Sequence, residues 1–336
     1  MGVFDFLDQG ARAVGGTFAG RDWGAPDQPQ MCTPQDNGPL GALPGGQSIG
    51  DFGRGVASEG LMGLLDPAGM MDRAAASREL STMFNVRRPE DMVSRPGDAP
   101  TEVAGNTVTP EEYDRIVRTY SDIRLGRSDI DLNTAGMSDA DAARFRGETM
   151  GDIGNILQTE SGRALINDVA YQRDDHRTTI NLRTDASGAR DNSNAEGGSV
   201  PGRSGASFSD GVGGDAEVHY VPGDNGGIVQ PTMSNAWLPM RSDVTLFHEL
   251  AHARHSAYGT LDQNMIGTAD AANPRDVGQW GGEYQAVGLG NFAGDQLTEN
   301  TYRSERAAIG RSGIGARNTG GVRDADIVQR DSYTWF

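Results

Sequence analysis

The residues best suited to chemistry are concentrated in one stretch, VTLFHELAHARHSAYGT, at residues 244–260. It contains three of the five histidines of the chain, His248, His252 and His255, with Glu249 beside the first. The pattern H-E-x-x-H places two imidazoles on one face of a helix, where both can bind a single tetrahedral zinc ion. The glutamate is then placed to act as a general base on water. The stretch therefore predicts a hydrolytic zinc site.

A helix must position these side chains. Asp243 is predicted as its N-cap and Gly259 as its end. The apolar positions between them predict a face that packs against the rest of the protein: Val244, Phe247, Leu250 and Ala251. His255 lies about 10 Å from His248 along such a helix, so the two cannot bind the same ion. We expect His255 to stand behind the metal ligands or to face solvent.

A zinc ion held by two histidines needs a third protein ligand and an open position for water. Glu283, in the segment EYQAVGLG, and Glu299, in LTENTYRSE, are candidates, and Glu305 follows in the same block. The remaining histidines, His176 and His219, lie upstream on or near predicted strands. The residues alone leave the third ligand open.

The elements around this stretch predict an α+β fold. Helices are predicted for TPEEYDRIVRTYSDIR and SGRALINDVAYQ, and strands for residues 176–184 and 215–222. The glycine-rich residues 186–214 are too polar to be core. Residues 215–222 are expected to form the sheet edge that pairs with an extended substrate.

Several blocks resemble the NleD-like zinc metallopeptidases, a family that includes type III secretion effectors and the metallopeptidase tails of some type VI spike proteins. The blocks occur in the family's order from about residue 161 to the C-terminus: SGRALINDV, FHELAHARHSAYGT, EYQAVGLG, LTENTYRSE and RDSY. One departure is Gly282 before Glu283, where the family commonly has paired acids.

The resemblance implies a zincin-like metallopeptidase domain, with an active-site helix packed on a small sheet and a partly disordered N-terminal region before it. It implies one zinc ion per chain, held in the gluzincin manner by His248, His252 and Glu283, with Glu299 as the alternative third ligand. Glu249 is then the general base. Tyr333, with Tyr302 as a second candidate, matches the family-like blocks and is expected to stabilise the oxyanion, unless it is an ordinary core tyrosine.

Composition narrows the possible partners. The net charge is −18, which argues against a nucleic-acid ligand. All 29 basic residues are arginine, a bias that fits a GC-rich genome, a salt-adapted organism or work in a eukaryotic cytosol, where lysines accept ubiquitin. The sequence contains no apolar run of membrane-spanning length, and no basic segment precedes its first apolar stretch, so neither a membrane span nor a Sec signal peptide is expected.

Three regions are predicted along the chain. Residues 1–50 form a flexible N-terminal region and linker, residues 51–105 a short helical segment and linker, and residues 106–336 the zinc metallopeptidase domain. We expect the N-terminal region to bind a secretion chaperone or delivery apparatus. The alternative is that its helical segment packs onto the catalytic domain as a structural helix.

The predicted function is therefore a zinc endopeptidase, secreted without a Sec signal as an effector or toxin, that cleaves a protein in a target cell. Two alternatives stay open. One is a non-catalytic interaction protein stabilised by zinc, and the other is a housekeeping metallopeptidase of a salt-adapted cell. An intact Glu249 favours the enzyme, because a purely structural zinc site does not need that base.

Overall fold

The computed structural model describes residues 67–84, 101–103, 106–172, 176–184, 198–201, 211–223, 228–230, 238–272, 274–312, 318–319, 322–323 and 329–332. The region predicted to be flexible, residues 1–50, lies outside these ranges. The helices are α1 (Pro67–Met83), α2 (Pro110–Arg124), α3 (Asp139–Leu157), α4 (Glu160–Ala170), α5 (Ser242–Ala257), α6 (Gly281–Val287) and α7 (Glu299–Ser312), and 3₁₀ turns occupy Pro274–Asp276 and Gly290–Phe292. The strands are β1 (Thr101–Val103), β2 (Asn106–Val108), β3 (Ile130–Asn133), β4 (Thr178–Leu182), β5 (Gly198–Pro201), β6 (Ala216–Tyr220), β7 (Ile228–Gln230), β8 (Leu238–Met240), β9 (Asn318–Thr319) and β10 (Val322–Arg323).

The main sheet has the strand order β3-β4-β6-β5. Strands β3, β4 and β6 are parallel to one another, and β5 runs antiparallel to β6. Ile180 of β4 and Val218 of β6 are fully buried, while the residues that alternate with them are partly exposed. One face of this sheet therefore packs on the core and the other faces outward.

The sheet confirms two predicted strands and corrects one expectation. Residues 215–222 were expected to form a free edge for substrate, but β6 is paired on both sides, with β4 and β5. The outermost strand next to it is β5, which comes from the glycine-rich segment 186–214. The expectation was wrong because alternating burial identifies a strand but not its neighbours, which are contributed by distant segments.

The predicted helices α2 and α4 begin at threonine caps. The hydroxyl of Thr109 accepts the N–H of Glu112 at 3.1 Å, and that of Thr159 accepts the N–H of Gly162 at 3.0 Å. Each bond satisfies a backbone donor that has no partner in the first turn of the helix. Helix α3 and strand β3, which the sequence did not predict, add a buried layer beside them. The mixture of helices and a small sheet agrees with the predicted α+β class.

Helix α5 lies at the centre of this arrangement. It contacts β5 and β6 as well as α3, α4, α6 and α7, and all of its residues except Arg254 are buried. The four predicted packing positions are fully buried. Such a helix is enclosed by protein on every side, so its polar side chains must find partners within the core.

Helix α1 packs into the same hydrophobic core, through Ala76, Leu80 and Phe84. Its acidic side chains also bind α2: Arg124 pairs with Asp72 at 2.7 Å and with Glu79 at 2.9 Å. These contacts favour the alternative in which the predicted helical segment is a structural part of the domain. The boundary at residue 105 itself stays a prediction. None of the helices in the described ranges has the length and apolar character needed to cross a bilayer.

Candidate metal centre

The two histidines of the H-E-x-x-H pattern lie one turn apart on α5 and face the same point. Their Nε2 atoms are 3.1 Å apart, and the ring planes meet at 79°. Both side chains are nearly enclosed, with 8% of His248 and 5% of His252 exposed. The helical spacing that the sequence predicted therefore brings both imidazoles together.

Glu283 completes the group from α6. Its Oε2 atom lies 3.1 Å from Nε2 of His248 and 3.2 Å from Nε2 of His252. In the described part of the chain, these three side chains are the group that could hold a metal ion, with donor atoms within 4.8 Å of one another. Helix α6 is held there by Gln285, which accepts the N–H of Asp262 and donates to the carbonyl of Thr260.

Glu299, the other candidate for the third ligand, lies behind His248. Its Oε2 is 2.8 Å from Nδ1 of His248, the ring nitrogen that points away from Glu283. Glu299 is fully buried and also bonds Arg303 and Arg330. Burial alone would raise the pKa of Glu299, but the charges of Arg330 and Arg303 hold that pKa well below its usual range. The structure thus gives the two candidate acids different positions around the same imidazole.

The carboxylates around His248 make the site strongly negative. Burial would lower the pKa of His248, but hydrogen bonds with Glu283 and Glu299 outweigh it and raise that pKa to about 10. A cation is therefore stabilised between these groups. The same field favours a divalent metal ion in place of the proton.

Glu249 is buried beside the histidines but is poorly partnered. Its Oε2 atom has no hydrogen-bond partner among the described residues. Burial raises the pKa of Glu249 to about 7, against the opposing charges of His248 and His252. A carboxylate with a pKa near neutrality can both accept and release a proton at physiological pH.

His255 does not face solvent. It is only 9% exposed, and its Nδ1 lies 2.9 Å from the hydroxyl of Thr260. Burial, reinforced by the charge of Arg254, lowers the pKa of His255 to about 3. His255 is therefore a neutral core side chain that fixes the end of α5. That end is set by Gly259, as predicted: its φ of 62° is left-handed, and a Cβ there would lie 2.7 Å from the backbone of the 211–213 loop.

The predicted N-cap of α5 is replaced by a buried ionic group. Helix α5 begins at Ser242 after Arg241, without a side-chain cap, and Asp243 bonds Arg241 Nε at 3.0 Å and the hydroxyl of Tyr302 at 2.7 Å. Burial alone would raise the pKa of Asp243, but Arg241 and Arg306 lower it to about 2. Ser242 donates to Asp152 at 2.9 Å in the same group. We call this group the Asp243 cluster; it consists of Asp152, Arg241, Ser242, Asp243, Tyr302 and Arg306.

Other candidate residues lie elsewhere. Tyr302 is fully buried in the Asp243 cluster, with its ring stacked 4.6 Å from that of Phe247, so it is a core tyrosine. Glu305 caps the start of α4 by accepting the N–H and hydroxyl of Ser161. Neither His176, which bonds the carbonyl of Val212, nor His219, which pairs with Glu217, belongs to the group around His248. Tyr333 lies outside the described residues.

The sequence did not identify three residues that hold this site. Arg303 follows Glu299 by one helical turn, a spacing that could have indicated the pair, whereas Arg330 reaches Glu299 from a distant segment. Trp280 stacks on His252, with ring centroids 5.7 Å apart and an angle of 12° between the planes. No local pattern marks Trp280, because the contact joins separate segments.

A comparison with known proteins identifies the family of this chain. A model of the peptidase M91 family, described as an effector protein, matches residues 133–312, more than half of the 336-residue chain. The match covers α5, α6 and α7, which supply the five residues around the candidate metal position. A search of curated proteins gave no match. The resemblance to NleD-like effector metallopeptidases is thereby confirmed, and the chain belongs to the M91 family of effector peptidases.

Proposed function

We propose that the protein is a zinc-dependent endopeptidase with a zincin-like domain. His248, His252 and Glu283 would hold one zinc ion, and Glu249 would act as general base. The observation that carries this proposal is the convergence of two Nε2 atoms and one carboxylate oxygen at 3.1–3.2 Å from one another. It is supported by the unpartnered Oε2 of Glu249 on the same helix.

The donor set fits zinc in type and in spacing. Two imidazoles and one carboxylate, with a position left for water, are a common ligand set of catalytic zinc. Ligand atoms about 2.05 Å from a tetrahedral ion lie about 3.3 Å from one another. The three separations at this site, 3.1, 3.1 and 3.2 Å, are close to that value.

In the proposed mechanism, each residue of the site has a separate role. A zinc ion held by these residues would supply a more acidic water and Lewis-acid polarisation of the peptide carbonyl. Glu249 accepts the proton of the attacking water and delivers it to the leaving amine, and its pKa of about 7 suits both transfers. Glu299 accepts the Nδ1–H of His248 and so keeps Nε2 of that ring directed toward Glu283 and His252, where the ion would bind. Arg303 and Arg330 keep Glu299 ionised for this purpose.

The oxyanion that forms during peptide hydrolysis needs a donor besides the metal. Tyr302 does not fill this role, because its hydroxyl donates to Asp243 inside the core. Tyr333 remains the proposed donor, on the strength of the RDSY block. Tyr333→Phe should lower kcat with little change in zinc content, and an unchanged kcat would remove Tyr333 from the mechanism.

The test of the whole proposal is the substitution Glu249→Gln, which keeps the shape of the side chain but cannot accept a proton. We expect it to retain one zinc per chain and a melting temperature no lower than that of the wild type, and to cleave casein or a cell lysate at least about 100-fold more slowly. The matched control is wild-type protein treated with a chelator and reloaded with zinc. Zinc binding without any metal-dependent proteolysis by the wild type would favour the non-catalytic alternative.

We further propose that the peptidase acts on a protein of a target cell, into which it is delivered as a secreted effector or toxin, and that residues before α1 serve delivery. A variant that begins at Pro67 should fold, bind zinc and cleave, but should no longer be exported. A variant that begins at Thr101 also lacks Ala76, Leu80 and Phe84 of the core, and burial of a leucine or phenylalanine side chain contributes about 1.5–3 kcal/mol. We expect that variant to aggregate. A Pro67 variant that is exported normally would contradict the delivery role.

A further inference from the structure

The two imidazoles of the site are held in different ways. The Nδ1 of His248 is bonded to Glu299 at 2.8 Å. The Nδ1 of His252 is buried, like the residue as a whole, which is 5% exposed, and this atom has no hydrogen-bond partner among the described residues. Metal-binding histidines usually donate their second ring nitrogen to a carboxylate or carbonyl, which fixes the orientation of the ring. For His252, another contact must do so.

Trp280 supplies a contact of a different kind. Its indole is stacked on the imidazole of His252, with centroids 5.7 Å apart and nearly parallel planes. This separation lies within the range of favourable aromatic stacking. A ring bound to a metal ion also carries positive charge, and the face of an indole attracts a cation within about 6 Å. The indole therefore favours the metal-bound form of the imidazole over the free form.

The local backbone holds the indole in place. Trp280 is the residue before α6, it pairs with Met265 in a β-bridge, and its carbonyl accepts the N–H of Glu283 at 3.2 Å. Gly282 leaves room for the ring, since a Cβ at that position would lie 2.9 Å from Trp280 Cη2. This contact gives a physical reason for a glycine at position 282. One short segment thus carries both Glu283 and the indole.

We propose that Trp280 is the positioning residue of His252: its indole holds the imidazole by stacking, in place of a hydrogen bond, and increases the affinity of the site for a divalent metal. The inference rests on the proposed zinc site. It predicts that the aromatic face, rather than the volume of the side chain, determines the effect. Two substitutions separate these properties, because leucine keeps an apolar side chain and phenylalanine also keeps a π face.

The experiment measures zinc affinity of the full-length protein by competition with a chromogenic chelator. Trp280→Leu should bind zinc about 10-fold more weakly, the lower end of the loss seen when the support of a metal-binding histidine is removed. Trp280→Phe should recover most of this loss and lie within about 3-fold of the wild type. Val277→Ala, an exposed change in the same loop, is the matched control and should bind as the wild type.

Two further measurements keep the outcome decisive. Zinc should quench tryptophan emission more in the wild type than in Trp280→Phe, and the melting temperature of each metal-free variant reports its fold. Wild-type affinity in Trp280→Leu would overturn the inference, as would equal losses in the leucine and phenylalanine variants. His252→Ala tests the zinc site separately: if that variant binds zinc as the wild type does, the proposed function fails, whatever the result for Trp280.

Discussion

Helix α5 carries two buried polar clusters that follow different rules. In the Asp243 cluster, the carboxylate of Asp243 is matched by Arg241 and Arg306 and by the hydroxyl of Tyr302. In the metal cluster, which consists of His248, Glu249, His252, Glu283 and Glu299, two buried atoms have no partner among the described residues, Glu249 Oε2 and His252 Nδ1. The charge of Asp243 is compensated in the first cluster, while the second retains buried polar atoms that a bound ligand could satisfy.

The comparison shows that buried polar groups can either stabilise the fold or form a site for binding and reaction within one core. A buried ionic group whose charges are matched holds its elements in one arrangement, and removing one member leaves an uncompensated charge. A buried group with unpartnered atoms costs stability, and such groups are concentrated where a protein binds or reacts. We therefore expect substitutions in the Asp243 cluster to act on folding and those of His248, Glu249, His252 and Glu283 to act on zinc and catalysis. Glu299 belongs to both kinds, because it contacts His248 and is also paired with Arg303 and Arg330.

The largest effect is expected for the proposed metal ligands. Glu283→Ala should lose stoichiometric zinc, whereas Glu299→Gln should still bind one zinc per chain with about 10- to 100-fold lower affinity, since it only supports the ring of His248. Metal analysis and chelator competition measure both. The metal-free Glu283→Ala protein should melt within a few degrees of the metal-free wild type, whereas Glu299→Gln should be less stable, because Arg303 and Arg330 lose the charge of their buried carboxylate. If only the substitution at Glu299 abolished binding, the assignment of the third ligand would be wrong.

In the Asp243 cluster, Asp243→Ala should lower the free energy of unfolding by about 3–5 kcal/mol, because Arg241 and Arg306 are left buried without their carboxylate. Chemical denaturation of the metal-free protein measures this change. Asp139→Ala, an exposed acid in the first turn of α3, should stay within about 0.5 kcal/mol of the wild type. Equal stabilities for the two variants would show that this cluster does not hold the fold.

The pH dependence of stability tests the burial of Glu249. The folded-state pKa of Glu249, about 7, is raised above its ordinary value of 4.5, so its contribution is present below pH 4.5 and is lost as the pH rises to about 7. The metal-free Glu249→Gln protein should match the wild type at pH 4.5 and exceed it by up to about 3 kcal/mol above pH 7. Denaturation at several pH values checks this. A constant difference would mean that burial does not perturb Glu249.

The smallest effect is expected for Tyr302→Phe, which removes one hydroxyl from Asp243 and leaves the stack on Phe247. We expect a loss of about 1 kcal/mol in unfolding free energy and unchanged kcat and zinc content. Such a result would show that Tyr302 contributes to the stability of the fold and not to catalysis. A kcat at least 10-fold below that of the wild type would instead show that a change in the Asp243 cluster affects catalysis at the metal cluster.

Much of the site could be predicted from local sequence. The i, i+4 spacing of His248 and His252 sets both imidazoles on one face of any helix, and Gly259 marks its end because only glycine fits the left-handed position there. The threonine caps of α2 and α4 likewise depend only on residues three positions apart. By contrast, the buried role of His255 and the ionic partners of Asp243 depend on what surrounds α5, and the sequence did not reveal them.

The sequence by itself determined that two imidazoles and a glutamate would share one turn of helix, since helical geometry relates residues three or four positions apart. Only the tertiary structure decided which acid faces Nε2 and which faces Nδ1 of His248, because Glu283 and Glu299 lie 35 and 51 residues away. It also decided that β6 is an inner strand and that α1 belongs to the core. The physical reason is common to all three: contacts between distant segments depend on how whole elements pack, and that information is spread over many residues.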